Sequence, residues 1–228
     1  MIISHKYRFI FIKTVKTAGT SIEAYLSQFC DAKDVITPIY PRLDIHKARN
    51  YKGLWNPVPE LNTNPKINYL RYTKNLVLLN KYYNHIPARF VRNRVSSDVW
   101  NKYYKFCVER NPWDKSISHY SMLKQRSGNS ITFDDYLRNR NFCVNFPKYL
   151  DENNNIIVDK IIRYESLDDE LNTVFSNLDI PFSGTLEIKA KSEYRKDKRH
   201  YHDIYTDKQA EVIARAFERE IKLHGYQY

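Results

Sequence analysis

Apolar and polar positions along the chain follow two periods in turn. Residues 7–13 hold the apolar run Phe9 to Ile12 between Arg8 and Lys13, short, β-branched and aromatic, which reads as a buried strand. A polar turn follows, and residues 21–29 then place Ile22, Ala24, Tyr25, Leu26 and Phe29 on one side of a helix. Residues 31–66 lose any period, broken by Pro38, Pro41, Pro57, Pro59 and Pro65. Residues 68–83 read as a helix of weak phase, and a second helix continues from Pro87 over residues 89–95. The run KYYKFCVE over 102–109 reads as a central strand. Asn111 and Pro112 start a helix that runs to about residue 124, with Pro112 at its first position. Thr132 and Asp135 form a capping box for a short helix over 132–138. Asn153 to Asn155 make a turn, 156–164 a third strand, and Ser166 caps a helix to about residue 178. The clearest helix spans 206–224. Thr206 caps it, Val212, Ile213, Ala216, Phe217, Glu220 and Ile221 mark its face, and Gly225 ends it.

Strands that alternate with helices predict an α/β fold with a central, mostly parallel sheet flanked by helices. No repeat, low-complexity tract or linker divides residues 1–228, so one domain is expected. Charge adds a direction. Thirty-seven Lys and Arg against 26 Asp and Glu give a net +11, which implies an anionic partner or a solubilising surface. Cys30, Cys107 and Cys143 form no C-x-x-C pair, which argues against a zinc site or a disulfide framework and fits a reducing compartment. No apolar run approaches 18 residues, and the N-terminal one is too short for a signal segment. The expectation is a soluble, cytoplasmic protein with no membrane span. Only five glycines occur in 228 residues, so each one that remains carries information.

One of those glycines stands in FIFIKTVKTAGTSIE. A strand delivers the chain into Lys16-Thr17-Ala18-Gly19-Thr20-Ser21 and a helix leaves it. Unpaired N–H groups at a helix N-terminus favour an anion. Gly19 lets backbone approach it, Thr20 and Ser21 add hydroxyls, and Lys16 adds a charge. A Walker A loop would place Lys after its second glycine; here Lys16 precedes Gly19 by three residues, which weakens a nucleotide-kinase reading. A second anion site appears in KFCVERNPWDKSISHY. Arg110 ends a strand and Ser118 lies on the next helix, so both face the crevice beyond the carboxyl ends of the strands. Arg110 would fork two phosphate oxygens and Ser118 would donate a third bond.

Together, VKTAGTS and VERNPWDKSISHY resemble the sulfotransferases that use 3′-phosphoadenosine 5′-phosphosulfate (PAPS), and within them the branch of carbohydrate 2-O-sulfotransferases with related bacterial and viral proteins. IIRYESLDDELNTVFSNLDIP and the closing segment from Tyr201 extend the likeness. The resemblance implies a P-loop-like three-layer fold and sulfuryl transfer from PAPS to an acceptor hydroxyl, expected on a glycan, leaving adenosine 3′,5′-bisphosphate. It assigns Lys16, Thr17, Ala18, Gly19, Thr20 and Ser21 to the 5′-phosphosulfate, and Arg110 and Ser118 to the 3′-phosphate. A basic loop before the last helix covers the nucleotide in that family, which implies Arg195, Lys196 and Arg199. The chain departs from the family at Val15, where many members have proline. Residues 31–80 match nothing in it and are assigned as an acceptor-side insertion.

The acceptor proton needs a base. His85, in NHIPARFVRNR, titrates near neutrality when unperturbed, and the resembling enzymes place a catalytic His between the two nucleotide motifs. His46, His119, His200 and His202 are rivals, and Glu23, which the resemblance allows as base, is the second choice. Lys16 would serve the leaving oxygen, so no metal is required. Arg89, Arg92 and Arg94 are assigned to an anionic acceptor. Two other readings stay open: a basic nucleic-acid-binding protein, which leaves the two phosphate motifs unexplained, and a P-loop-like nucleotide kinase, which lacks the Walker lysine.

Overall fold

A computed structural model describes residues 1–40, 42–63, 69–186, 197 and 199–228. The centre is a five-stranded sheet in the order β3-β1-β2-β4-β5. These strands are β1 (Ile2–Ser4), β2 (Phe9–Phe11), β3 (Val35–Ile36), β4 (Tyr104–Glu109) and β5 (Lys160–Arg163). β2, β4 and β5 pair in parallel. β1 runs antiparallel to both its neighbours, β2 and β3, so four strands point one way and β1 alone points back.

The strands are buried on both sides, and their period of two sorts the side chains. Phe9, Phe11, Phe106 and Val108 face α1 (Gly19–Ser27) and α8 (Leu167–Asn177), packing on Ile22, Leu26, Leu171, Val174 and Phe175. Ile10, Ile12 and Cys107 face the opposite layer, with Tyr72, Phe90 and Val91 from α3 (Tyr69–Val77) and α4 (Ala88–Arg94). Between them in sequence lie α2 (Val58–Thr63), before α3, and α5 (Ser97–Lys102), after α4. A third apolar cluster joins α6 (Pro112–Arg126), α7 (Phe133–Asn139) and α9 (Asp207–Ala216) through Trp113, Ile117, Tyr136, Leu137 and Ile213. Helices therefore cover both faces of a mostly parallel sheet. Among the described residues no helix is long and apolar enough to cross a membrane.

Caps and breaks follow local chemistry. Asn111 accepts from the N–H groups of Trp113 and Asp114 and starts α6 with Pro112 behind it. Both capping boxes form, Thr132 with Asp135 and Thr206 with Gln209. Ser166 precedes α8 but makes no side-chain cap; its hydroxyl donates to Glu170 Oε1 at 3.0 Å. The expected helix over 206–224 is two: α9 stops at Phe217 and α10 (Glu218–His224) restarts there, with Phe217 fully buried at the corner. Other departures are additions. β1 and β3 extend the sheet beyond β2, and α5 fills the turn before β4. The expected strand over 156–164 keeps only its last residues, Lys160–Arg163.

Candidate anion-binding loop

The parallel pairing of β2 with β4 brings the ends of both strands to one edge. Ile12 N–H still donates to Phe106 carbonyl at 2.9 Å, and then the chain leaves the sheet. From there each residue is held by a different element. Lys13 carbonyl accepts from His85 Nδ1 at 3.1 Å. Thr14 hydroxyl donates to the Val108 carbonyl of β4 and contacts the Thr17 hydroxyl at 2.7 Å. Val15 N–H donates to Asn145 Oδ1 at 2.8 Å, and Asn145 Nδ2 returns to Val15 carbonyl at 3.0 Å. Lys16 carbonyl accepts from Arg110 Nη1 at 3.2 Å. A loop pinned at four successive residues is pre-organised for a ligand.

Lys16 and Ala18 both take left-handed backbone angles, φ 63° and 56°, and Ala18 opens α1 with no side-chain cap. The N-cap residue therefore brings no side-chain oxygen of its own to the N-terminal N–H groups of α1, the end of a helix that favours an anion. Thr17, Thr20 and Ser21 are buried in the same turn. Gly19 does something other than expected. Its φ is not positive; a Cβ there would lie 2.8 Å from Lys13 Cγ. It is glycine because the Lys13 side chain passes across it.

Lys13 runs under α1 to pair with Glu23, which also holds the Met1 ammonium; both side chains are buried. Glu23 is thus a counter-ion to Lys13 beneath the loop, and its expected role as a base is corrected: fully enclosed between the Lys13 ammonium and the Met1 amino group, whose pKa burial and then Lys13 hold well below 8, it has no opening to an acceptor. His85 stands differently. A carbonyl only accepts, so the bond to Lys13 puts the proton on Nδ1 and leaves the lone pair on Nε2. Burial first, then the charges of Lys13 and Lys148, hold its pKa well below 6.5, so the ring is neutral.

On the other side of the loop, Arg110 stacks over Tyr164, 4.0 Å from the ring centre. Its Nε donates to Asp114 Oδ2 at 2.7 Å, and Nη2 bridges to the same carboxylate. An anion at Arg110 would share the guanidinium with Asp114. Ser118 lies one turn beyond Asp114 on α6. His119 beside it has its pKa lowered to about 4, by burial and then by the charge of Lys16. Beneath these groups Glu109 accepts from Lys115 Nζ at 2.6 Å, from Arg110 N–H at 3.0 Å and from Asn145 Nδ2 at 3.3 Å.

The structure therefore gathers Lys16 to Ser21, His85 and Arg110 around one loop, with Ser118 on the helix that Arg110 opens onto. The Lys13 and Lys16 carbonyls that hold His85 and Arg110 are three residues apart, within about 11 Å of chain. Other assigned residues lie elsewhere. Arg94 is buried against Glu60, with Nε and Nη2 each 2.6 Å from a carboxylate oxygen, so its assignment to an acceptor is corrected. Arg92 pairs with Glu152 at 2.8 Å, and Arg89 donates to Pro147 carbonyl at 3.2 Å. Arg199 pairs with Asp197 and lines a groove along α6 with Tyr120, Lys124 and Phe133. Arg195 and Lys196 fall outside the described residues. His46 and His119 are buried, and His200 and His202 pack with Tyr201 and Tyr228. Lys13, Asp114 and Asn145 were not anticipated. Only Asp114 left a signal, as an acid in the first turn of the helix that starts just after Arg110.

No family model matches the chain, and no solved structure matches it. It is 34% identical over 118 residues to an uncharacterized protein of Archaeoglobus fulgidus, an alignment that covers 49% of this chain and 98% of the archaeal protein. The chain belongs to the same family as that protein.

Proposed function

We propose that the chain is a PAPS-dependent sulfotransferase with a P-loop-like fold, acting on a hydroxyl acceptor of the carbohydrate class. The observation that carries this reading is the double use of one loop. The Lys13 carbonyl sets the tautomer of a neutral histidine, and three residues on the Lys16 carbonyl holds the arginine of the second anion motif. A base and two cationic motifs around an uncapped helix N-terminus are what sulfuryl transfer needs.

The residues fit the donor at its phosphosulfate end: α1 begins without a side-chain cap, and Lys16 and Ala18 adopt the left-handed angles that turn N–H groups inward. When bound, PAPS supplies a sulfuryl group whose bond to the phosphate oxygen breaks as the acceptor oxygen bonds to sulfur. His85 Nε2 takes the acceptor proton, and Nδ1–H on the Lys13 carbonyl keeps the ring oriented while it does so. Lys16 and the α1 N–H groups meet the charge that gathers on the departing phosphate. Arg110 and Ser118 hold the nucleotide's second phosphate, with Asp114 fixing the guanidinium plane.

The test is transfer of labelled sulfate from PAPS onto a panel of glycans and small hydroxyls, run beside thermal stabilisation by adenosine 3′,5′-bisphosphate. Transfer to at least one hydroxyl class, with stabilisation lost in Lys16→Ala, is the expected result. No stabilisation by the nucleotide at any concentration sinks the reading.

A further inference from the structure

The described residues of 47–63 and 69–81 present a surface that the loop contacts above do not use. Among the described residues, eight of the thirteen large apolar side chains that stand exposed lie between Leu54 and Leu79. Leu70 is 84% exposed, Val77 81% and Leu54 80%. They belong to one structural unit. Gly53 N–H donates to Leu79 carbonyl at 2.8 Å and Tyr82 N–H to Tyr51 carbonyl at 2.8 Å. Tyr72 hydroxyl donates to Pro57 carbonyl at 3.3 Å, which ties α3 to the start of α2. The buried Arg94–Glu60 pair, with Arg94 also stacked on Trp55 at 4.2 Å, locks the unit onto α4.

Within α3 the sides are sorted. Tyr72 and Asn75 are buried, while Leu70, Thr73, Lys74 and Val77 are exposed and fall within a single stripe at 100° per residue. Val58 and Leu61, three apart on α2, are exposed in the same way. The charge on this unit has one sign. Its described side chains include five Lys and Arg, namely Lys47, Arg49, Lys52, Lys74 and Lys81, and one acid, Glu60, and that carboxylate is buried against Arg94. Lys47, Lys52 and Lys74 are exposed.

We infer that this face docks on an anionic lipid bilayer. Exposed leucines and valines interleaved with lysines, with Tyr69 among them and no exposed acid, match the acyl boundary and the negative headgroups together. A polysaccharide or nucleic acid would answer the lysines but leave the leucines in water, and a second copy of the chain would bring the same positive charge to face itself.

The experiment is co-sedimentation of the full chain with vesicles of phosphatidylcholine alone and of equimolar phosphatidylcholine and phosphatidylserine. The protein is expected to pellet with the mixed vesicles and to stay largely in solution with the neutral ones. Leu70→Gln with Val77→Gln should weaken vesicle binding about tenfold, while Leu223→Gln, exposed on α10, should not. Both variants remove only exposed groups, and unchanged thermal unfolding will show that they fold. Failure of the wild type to pellet with anionic vesicles overturns the inference, and so does wild-type binding by the Leu70/Val77 variant. A concentration-dependent dimer that the same variant abolishes assigns the face to a second copy and overturns it equally. Binding to dextran sulfate that the glutamine pair weakens as much as vesicle binding assigns it to a polyanion, with the same consequence.

Discussion

Asn145 closes both polar groups of Val15 with one side-chain amide, accepting from its N–H at 2.8 Å and donating to its carbonyl at 3.0 Å. The pairing copies a strand's ladder at a point where the chain has already left the sheet. It also explains how the loop holds its course without the proline that the resembling sulfotransferases carry there: a donor that proline lacks is in use. Asn145→Ala removes these bonds and one to Glu109, and should cost about 2–4 kcal/mol. Val15→Pro leaves Asn145 Oδ1 without its donor and should cost about 1–3 kcal/mol. Urea unfolding measures both, and an unchanged midpoint in either variant contradicts the clamp.

Glu23 is a counter-ion, and the variant that separates this from a catalytic role is Glu23→Gln. It keeps the shape and takes away the carboxylate that faces the buried Lys13 ammonium and the Met1 amino group, so stability should fall by about 3–5 kcal/mol. The proposed sulfuryl transfer, per folded molecule, should stay within a few-fold. A folded Glu23→Gln enzyme slowed about a hundredfold or more would return Glu23 to the role of base. Gly19→Ala tests the same contact from above. Its new methyl would lie 2.8 Å from Lys13 Cγ, at a cost of about 1–3 kcal/mol.

For His85 the prediction concerns pH. In the proposed transfer the ring takes a proton only when itself unprotonated, and its folded pKa lies well below 6.5. Activity should therefore be level through neutrality, with its acid limb well under 6.5. His85→Ala should lose about 10²- to 10⁴-fold in turnover while adenosine 3′,5′-bisphosphate still stabilises it. A limb centred at or above 6.5 would show that burial is not what governs this ring.

Stability has its own pH dependence. His46 and His119 have pKa values lowered to about 4, burial being the first cause for each, and His85 is lowered as well. The unfolded chain binds protons at these sites before the folded one does. Their contribution is intact above about pH 6.5 and is lost as pH falls toward 4, by up to about 1.4 kcal/mol per pH unit for each histidine. Thermal unfolding at stepped pH should show the midpoint dropping across that window. His119→Asn should flatten part of the drop.

Much of the fold was legible because the strands are short and buried on both faces, so Phe9 to Ile12 and Lys105 to Glu109 stand out against their neighbours. Sequence reasoning also reached the loop, because a lone glycine among few has a conspicuous setting. What it missed has physical causes. Asn145 acts across 130 positions, and nothing local marks an amide for that task. Lys13 read as a charge that ends an apolar run, and only the folded path shows it turning back across Gly19. Glu23 next to an anion loop cannot be told from a base until Lys13 is seen to reach it. Phe217 continues the helical apolar face without glycine or proline, so the corner between α9 and α10 left no trace. The single strand β1 was too short to register, yet it carries the sheet outward to β3.

The bond from His85 to a backbone carbonyl, and not to a carboxylate, bears on what happens after a proton is taken. A histidine backed by an acid keeps its imidazolium comfortably. Here the charged ring would sit in a buried place, against a neutral oxygen, with Lys13 and Lys148 repelling it. Such a ring is a poor store of protons. In the reaction proposed above, each turnover would end with discharge through Nε2 to buffer or water, with a solvent isotope effect in that release step.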